Sequence, residues 1–226
     1  MIPLRDNQPR PSPSLVTWTL VLLNVVIYLW DRQGNPFGNS VAFADLAMRP
    51  REVVDTLKGF SADRFPFVTL FTSMFLHGSL AHIIGNMIFL TVFGPGVEEA
   101  IGSVRYALYY LAWGVAASTA QIYVDPASPI PTLGASGAIG GVLGAYFLLF
   151  PGNKIEIIVP ILAFLAFEVA AWGLLGIWFL WQVFVPQEGV AQWAHAGGFL
   201  AGMLTVLVLG GRDAVLKGRD PELDFA

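Results

Sequence analysis

The 226-residue chain contains no cysteine. Disulfides, thiolate metal sites and a cysteine nucleophile are therefore excluded. Charge is scarce as well: 12% of residues are Asp, Glu, Lys or Arg, about half the fraction usual in soluble domains. The net charge is −4, and no basic run or aromatic-interleaved basic patch occurs, so no nucleic-acid partner is expected. Nothing repeats at solenoid spacing. The HExxH motif of zinc proteases is missing, as is a pair of aspartates within apolar runs, so neither metal nor aspartyl chemistry is expected. Histidine is limited to His77, His82 and His195.

Apolar residues are what the chain has in excess, at 55%. Several runs approach the roughly 20 residues needed to cross a bilayer. They predict an all-α polytopic membrane protein, a bundle of six transmembrane helices over Leu15–Trp30, Gly78–Gly96, Val104–Val124, Ala135–Phe150, Ala170–Val185 and Val190–Leu209. Residues 1–14 then form a cytoplasmic N-terminal segment and 15–210 one membrane domain, with a large outer loop at 31–71. Residues 211–226 form a charged, frayed cytoplasmic tail. The first run resembles a signal peptide but lacks a small-residue cleavage site and ends in Trp30-Asp31-Arg32, so it is read as a retained span. Ile155–Val185 is too long for one crossing and contains Pro160 and Glu168; Ile155–Phe167 is expected to run along or dip into the membrane interface. In the first loop, Pro50-Arg51-Glu52-Val53-Val54 is expected to start a short amphipathic helix. Glu98 and Glu99 read as a solvated span end, with local capping or pairing open to Glu98, and Asp125 reads as an ordinary loop residue. Trp172, Trp178, Trp181 and Trp193 read as interfacial anchors.

Six spans put both termini on one side. With that side cytoplasmic, the inner segments hold Arg5, Arg10, Arg105, Lys154, Arg212, Lys217 and Arg219. The outer basic residues, Arg32, Arg49, Arg51, Lys58 and Arg64, all fall in the first loop. This bias favours cytoplasmic termini in a cell inner or plasma membrane.

Polar and ionisable groups inside spans are expensive and are candidates for function. In this orientation the second, fourth and sixth spans all begin on the outer side. His77, His82 and Asn86 open the second, Ser136 the fourth, and His195 lies about a turn into the sixth. Three groups distant in sequence thus share one depth. Ser136, Gly140 and Gly144 recur on one helix face, and His195, Gly198 and Gly202 on another. Small residues at this spacing let two backbones approach closely, which would bring the Ser136 hydroxyl to the His195 ring. A serine needs a base to take its proton; Ser136 is the candidate nucleophile and His195 the candidate base. His82 and Asn86, four residues apart, and the backbone N–H of Ser136 are candidate oxyanion donors. No carboxylate lies near these groups within the spans, so a Ser–His dyad is expected, its base oriented by packing. Each residue alone has a plainer reading. Ser136 and His195 could be helix-packing residues, His82 and Asn86 an interhelical pair, and His77 an interfacial polar group. The combination favours chemistry.

These residues carry a signature. Gly134-Ala135-Ser136-Gly137 resembles the GxSG motif of rhomboid proteases. Ala194-His195 with Gly198 and Gly202 resembles their AHxxGxxxG motif. His77, His82 and Asn86 match the histidine and asparagine positions of their second span, and Gly94–Gly102 resembles the segment closing it. The resemblance covers about Phe67 to Leu209. It implies a six-span intramembrane serine endopeptidase with Ser136 and His195 as its dyad. His82, Asn86 and the Ser136 amide would form the oxyanion site, with His77, Gly134 and Gly137 beside it. It also implies transmembrane protein substrates cut near the outer membrane face, in contact with membrane lipid, with no metal and no cofactor. Two features depart from the family pattern. The first loop reads Arg64-Phe65-Pro66-Phe67 where many members have a Trp-Arg pair, which puts the usual anchoring of that loop in doubt. Gly140 stands where some members stack a tyrosine on the base. Two other classes stay open from sequence: a catalytically silent rhomboid-like scaffold that binds transmembrane clients, and a small transporter, which would predict inverted repeats that are not seen.

Overall fold

The computed structural model describes residues 2–8, 13–38, 41–159, 165–185 and 189–217. The chain is mostly helical. Strand β1 (Ile2–Asp6) precedes α1 (Leu15–Asp31), and the first loop carries α2 (Pro50–Leu57) and α3 (Phe65–Thr72). Helices α4 (Leu80–Ile101), α5 (Ser103–Val124) and α6 (Ser136–Leu149) follow. A hairpin of β2 (Lys154–Val159) and β3 (Leu165–Ala170) leads to α7 (Ala171–Phe184), α8 (Gln192–Val208) and the short α9 (Arg212–Leu216). Among the described residues, Leu80–Ile101 is the helix both long and apolar enough to cross a bilayer unaided. Leu15–Asp31, Ser136–Leu149, Ala171–Phe184 and Gln192–Val208 are shorter apolar helices.

Helix α6 is the axis of the molecule. Every residue from Gly137 to Tyr146 is buried, against α8, α5 and α4. Trp113, Tyr106, Tyr110, Phe93 and Phe199 fill the space around it, and the Trp113 indole N–H donates to Thr205 Oγ1 at 2.9 Å. The outside is apolar too. Leu200, Leu204 and Leu207 lie exposed on one face of α8, as do Leu15, Trp18, Leu22 and Val26 on α1. Apolar stripes on this scale suit contact with lipid rather than water.

The first loop is tied to the helices without the missing tryptophan. The buried Arg32 guanidinium donates to the His77 carbonyl at 2.8 Å. Asp31 accepts from the Phe43 N–H at 2.8 Å, and Thr72 Oγ1 donates to the Leu46 carbonyl at 2.7 Å. Met48 pairs with Thr132, joining the loop to the segment that precedes α6.

Two expectations are corrected at the opposite end. First, the described part of 155–167 is extended strand within an otherwise helical chain. β1, β2 and β3 form an antiparallel sheet in that order. Glu156 pairs with Glu168, and Ile2 with Ile158. Lys154-Ile155-Glu156-Ile157 alternates, with Ile155 and Ile157 buried. This is the period of a half-buried strand, reinforced by β-branched residues. Arg5 meets Glu156 at 2.6 Å and Lys154 meets Glu168 at 3.2 Å. Pro160 lies outside the described residues, as does 218–226 of the tail. Second, Glu98 is not a solvated span end. It is 2% exposed and accepts from the Val16 and Thr17 N–H groups at 2.9 and 2.8 Å. It also accepts from Thr17 Oγ1 at 2.8 Å and Ser103 Oγ at 2.7 Å. Ser14 makes no side-chain cap on α1, and Glu98 fills that role across space, its charge facing the positive end of the helix.

Candidate active site

The N-termini of α4, α6 and α8 converge at one end of the bundle, opposite the sheet. Between them lies a cavity of about 750 Å³ lined by His82, Asn86, Ser136, Trp178, Gln182 and His195, among others. It reaches the loops around Asp125, Ser128, Gly189 and Val190. Asp125, expected to be an ordinary loop residue, is thus at its mouth.

Backbone proximity builds the centre of this site. A Cβ at Gly140 would stand 2.8 Å from the His195 carbonyl. At Gly144 it would clash with the Phe199 carbonyl, and at Gly198 and Gly202 with the carbonyls of Gly137 and Gly141. Helices α6 and α8 are therefore in main-chain contact along the two glycine stripes. At Gly137, a Cβ would meet the Ala117 methyl on α5 at 2.7 Å. Ser136 and His195, at the top of these stripes, are brought together: His195 Nε2 is 2.7 Å from Ser136 Oγ.

Gly134 has φ +127°, a region that disfavours side chains. A Cβ there would lie 2.8 Å from the His82 ring and 3.6 Å from Ser136 Oγ. The first glycine of the GxSG motif thus lets the His82 imidazole stand beside the serine. Ser79 caps α4, accepting from the His82 N–H at 3.1 Å, and this fixes the turn that carries His82. One turn on, Asn86 is buried and lines the cavity. Its Nδ2 is buried and has no hydrogen-bond partner among the described residues.

His77 lies behind His82, edge to face at 5.2 Å between ring centroids. It is fully buried. Burial holds its pKa down at about 3; the His82 ring adds to the shift and the Phe75 backbone opposes it. It is neutral at physiological pH and backs the site rather than lining it.

Two contributors escape the sequence reading. His195 is not oriented by packing alone: its Nδ1 is 2.7 Å from Gln182 Oε1 on α7. Trp178, one turn before Gln182, is no interfacial anchor. Its ring faces inward, 6.0 Å from His195 and 6.0 Å from Phe199, whereas Trp172 and Trp181 are exposed. A polar amide in an apolar run was the signal for Gln182. Among the described residues, no three His, Asp or Glu side chains gather where they could hold a metal ion.

The chain is similar in sequence to several known proteins. The chain is 32% identical over 149 residues to the rhomboid protease GluP of Bacillus subtilis, covering 62% of this chain and 26% of that one. It is 31% identical over 145 residues to rhomboid protein 1, mitochondrial, of Saccharomyces cerevisiae, covering 61% and 40%. It is 32% identical over 134 residues to rhomboid-related protein 2 of Mus musculus, covering 58% and 44%. The matched region is thus less than half the length of each of these relatives. The Rhomboid domain profile matches residues 64–212, which span α4 to α8 and the whole site, and the chain belongs to the rhomboid family of integral membrane proteins.

Proposed function

We propose that this chain is an intramembrane serine endopeptidase that cuts transmembrane proteins near the outer membrane face. The observation that carries the reading is the 2.7 Å contact between Ser136 Oγ and His195 Nε2, at the wall of a cavity that His82 and Asn86 also line. Six helices, α1 and α4 to α8, cross the bilayer, with both termini and the sheet on the cytoplasmic side. Residues 15–210 are the protease domain and 31–71 its outer loop. Helix α6 has 14 residues, about 21 Å, against a hydrocarbon core of about 30 Å. Its start at Ser136 therefore falls below the outer surface, and water reaches it through the cavity mouth at Asp125 and Gly189.

Ser136 attacks the scissile carbonyl while His195 takes its proton. The oxyanion is held by Asn86, His82 and the Ser136 N–H. His195 gives the proton to the leaving amine, and water then hydrolyses the acyl-enzyme. Neither metal nor cofactor has a part.

The test is cleavage of a tagged single-span substrate in proteoliposomes by wild type, Ser136→Ala and His195→Ala. Cleavage by wild type alone is expected. Cleavage by all three would overturn the assignment. Binding of the substrate without cleavage by any would favour a silent scaffold.

A further inference from the structure

Gln182 sits on α7, whose outward residues Ile177, Leu180, Trp181 and Phe184 are all exposed. Gln182 itself is 6% exposed, turned into the cavity wall. An amide in this position carries a desolvation cost unless it is hydrogen-bonded. Its Oε1 lies 2.7 Å from His195 Nδ1, and the opposite nitrogen of the same ring lies 2.7 Å from Ser136 Oγ. The three groups form one line through the imidazole.

A neutral imidazole carries its proton on one nitrogen and offers a lone pair on the other. To accept the serine proton, His195 must present the lone pair at Nε2, so Nδ1 must hold the hydrogen. A carbonyl oxygen at Nδ1 favours that tautomer, because it can accept a hydrogen bond but not donate one. We propose that Gln182 is the positioning residue of the base: its side-chain carbonyl fixes the tautomer and ring orientation of His195 so that Nε2 faces Ser136. The proposal rests on the serine-protease reading for its consequence in catalysis, but not for its geometry. A neutral amide does this without burying a second charge, whereas an unpaired carboxylate among apolar helices would be far costlier. Trp178, one helical turn earlier, packs its ring near the imidazole. Two side chains of α7 thus contact the base ring, whereas nucleophile and base are brought together by α6 and α8.

The test uses the full chain in detergent micelles with ¹⁵N-labelled histidine. The chain has three histidines, and His195→Ala identifies the His195 signals by their loss. The expected wild-type spectrum has His195 protonated at Nδ1. In Gln182→Met, which keeps length but removes the acceptor, the Nδ1–H form should give way to a mixture. On the same proteins, kcat should fall roughly 10- to 100-fold with KM within about twofold, the scale of one orienting hydrogen bond. A wild-type His195 protonated at Nε2 would overturn the proposal, even if Gln182→Met does not fold. So would an unchanged tautomer in Gln182→Met, whatever happens to kcat. A tautomer that responds to Gln182 in a protein that cleaves nothing would leave the positioning role standing and remove the protease reading.

Discussion

The two sides of His195 are built on different principles. Towards Ser136, helices α6 and α8 touch main chain to main chain through Gly140, Gly144, Gly198 and Gly202. Towards Gln182, α7 reaches the ring with two side chains and leaves its remaining face exposed. Backbone contact leaves no rotamers to adjust, so helix packing sets how close the Ser136 and His195 backbones stand. Side-chain contact from a peripheral helix can be lost without unfolding the bundle. The difference teaches that meeting and aiming are separable: α6 and α8 make the pair meet, and α7 aims it.

The comparison is broken most severely at Gly144. In Gly144→Val the side chain would occupy the place of the Phe199 carbonyl. Separating α6 from α8 should cost about 3 kcal/mol or more and abolish cleavage; thermal unfolding in micelles and a cleavage assay check both. Asn86→Ala should leave the frame intact and the unfolding temperature close to wild type, while kcat falls roughly 10²- to 10³-fold. Equal loss of stability and rate would make Asn86 a packing residue instead. Glu98→Ala removes the acceptor for four donors at the far end of the bundle. It should cost about 2–4 kcal/mol of stability with kcat per folded molecule unchanged, which active-site titration would read. Lys154→Ala breaks an exposed pair with Glu168 on the sheet. It should change stability by less than about 1 kcal/mol and leave cleavage as it was.

The sequence was legible where one signal dominated. Hydropathy places the helical segments from Leu15 to Val208 to within a few residues, except that α4 runs past Pro95 and the Glu98-Glu99 pair that reads as its end, to Ile101. Buried on all sides, that proline is accommodated inside the helix. The glycine spacing of α6 and α8 was readable because close approach admits few other residues. The β2–β3 hairpin was missed because its apolar content outweighed the Lys154-to-Ile157 alternation, a signal only four residues long. Glu98 looked solvated because its partners, Val16 and Thr17, are some 80 positions away in sequence, and it is tertiary contact that buries it. Gln182 gives the same polar-in-apolar signal as Asn86, but no serine or histidine stands within a turn of it in the sequence to mark a cluster.

The central claim is that Ser136 is a nucleophile activated by His195. Its most direct measurement is labelling of the membrane-reconstituted chain with a fluorophosphonate probe, followed by peptide mass spectrometry. The account predicts modification at Ser136 in wild type, lost in His195→Ala although that variant keeps the serine. Labelling of Ser136 that is indifferent to His195, or modification of another serine with Ser136 untouched, would contradict it.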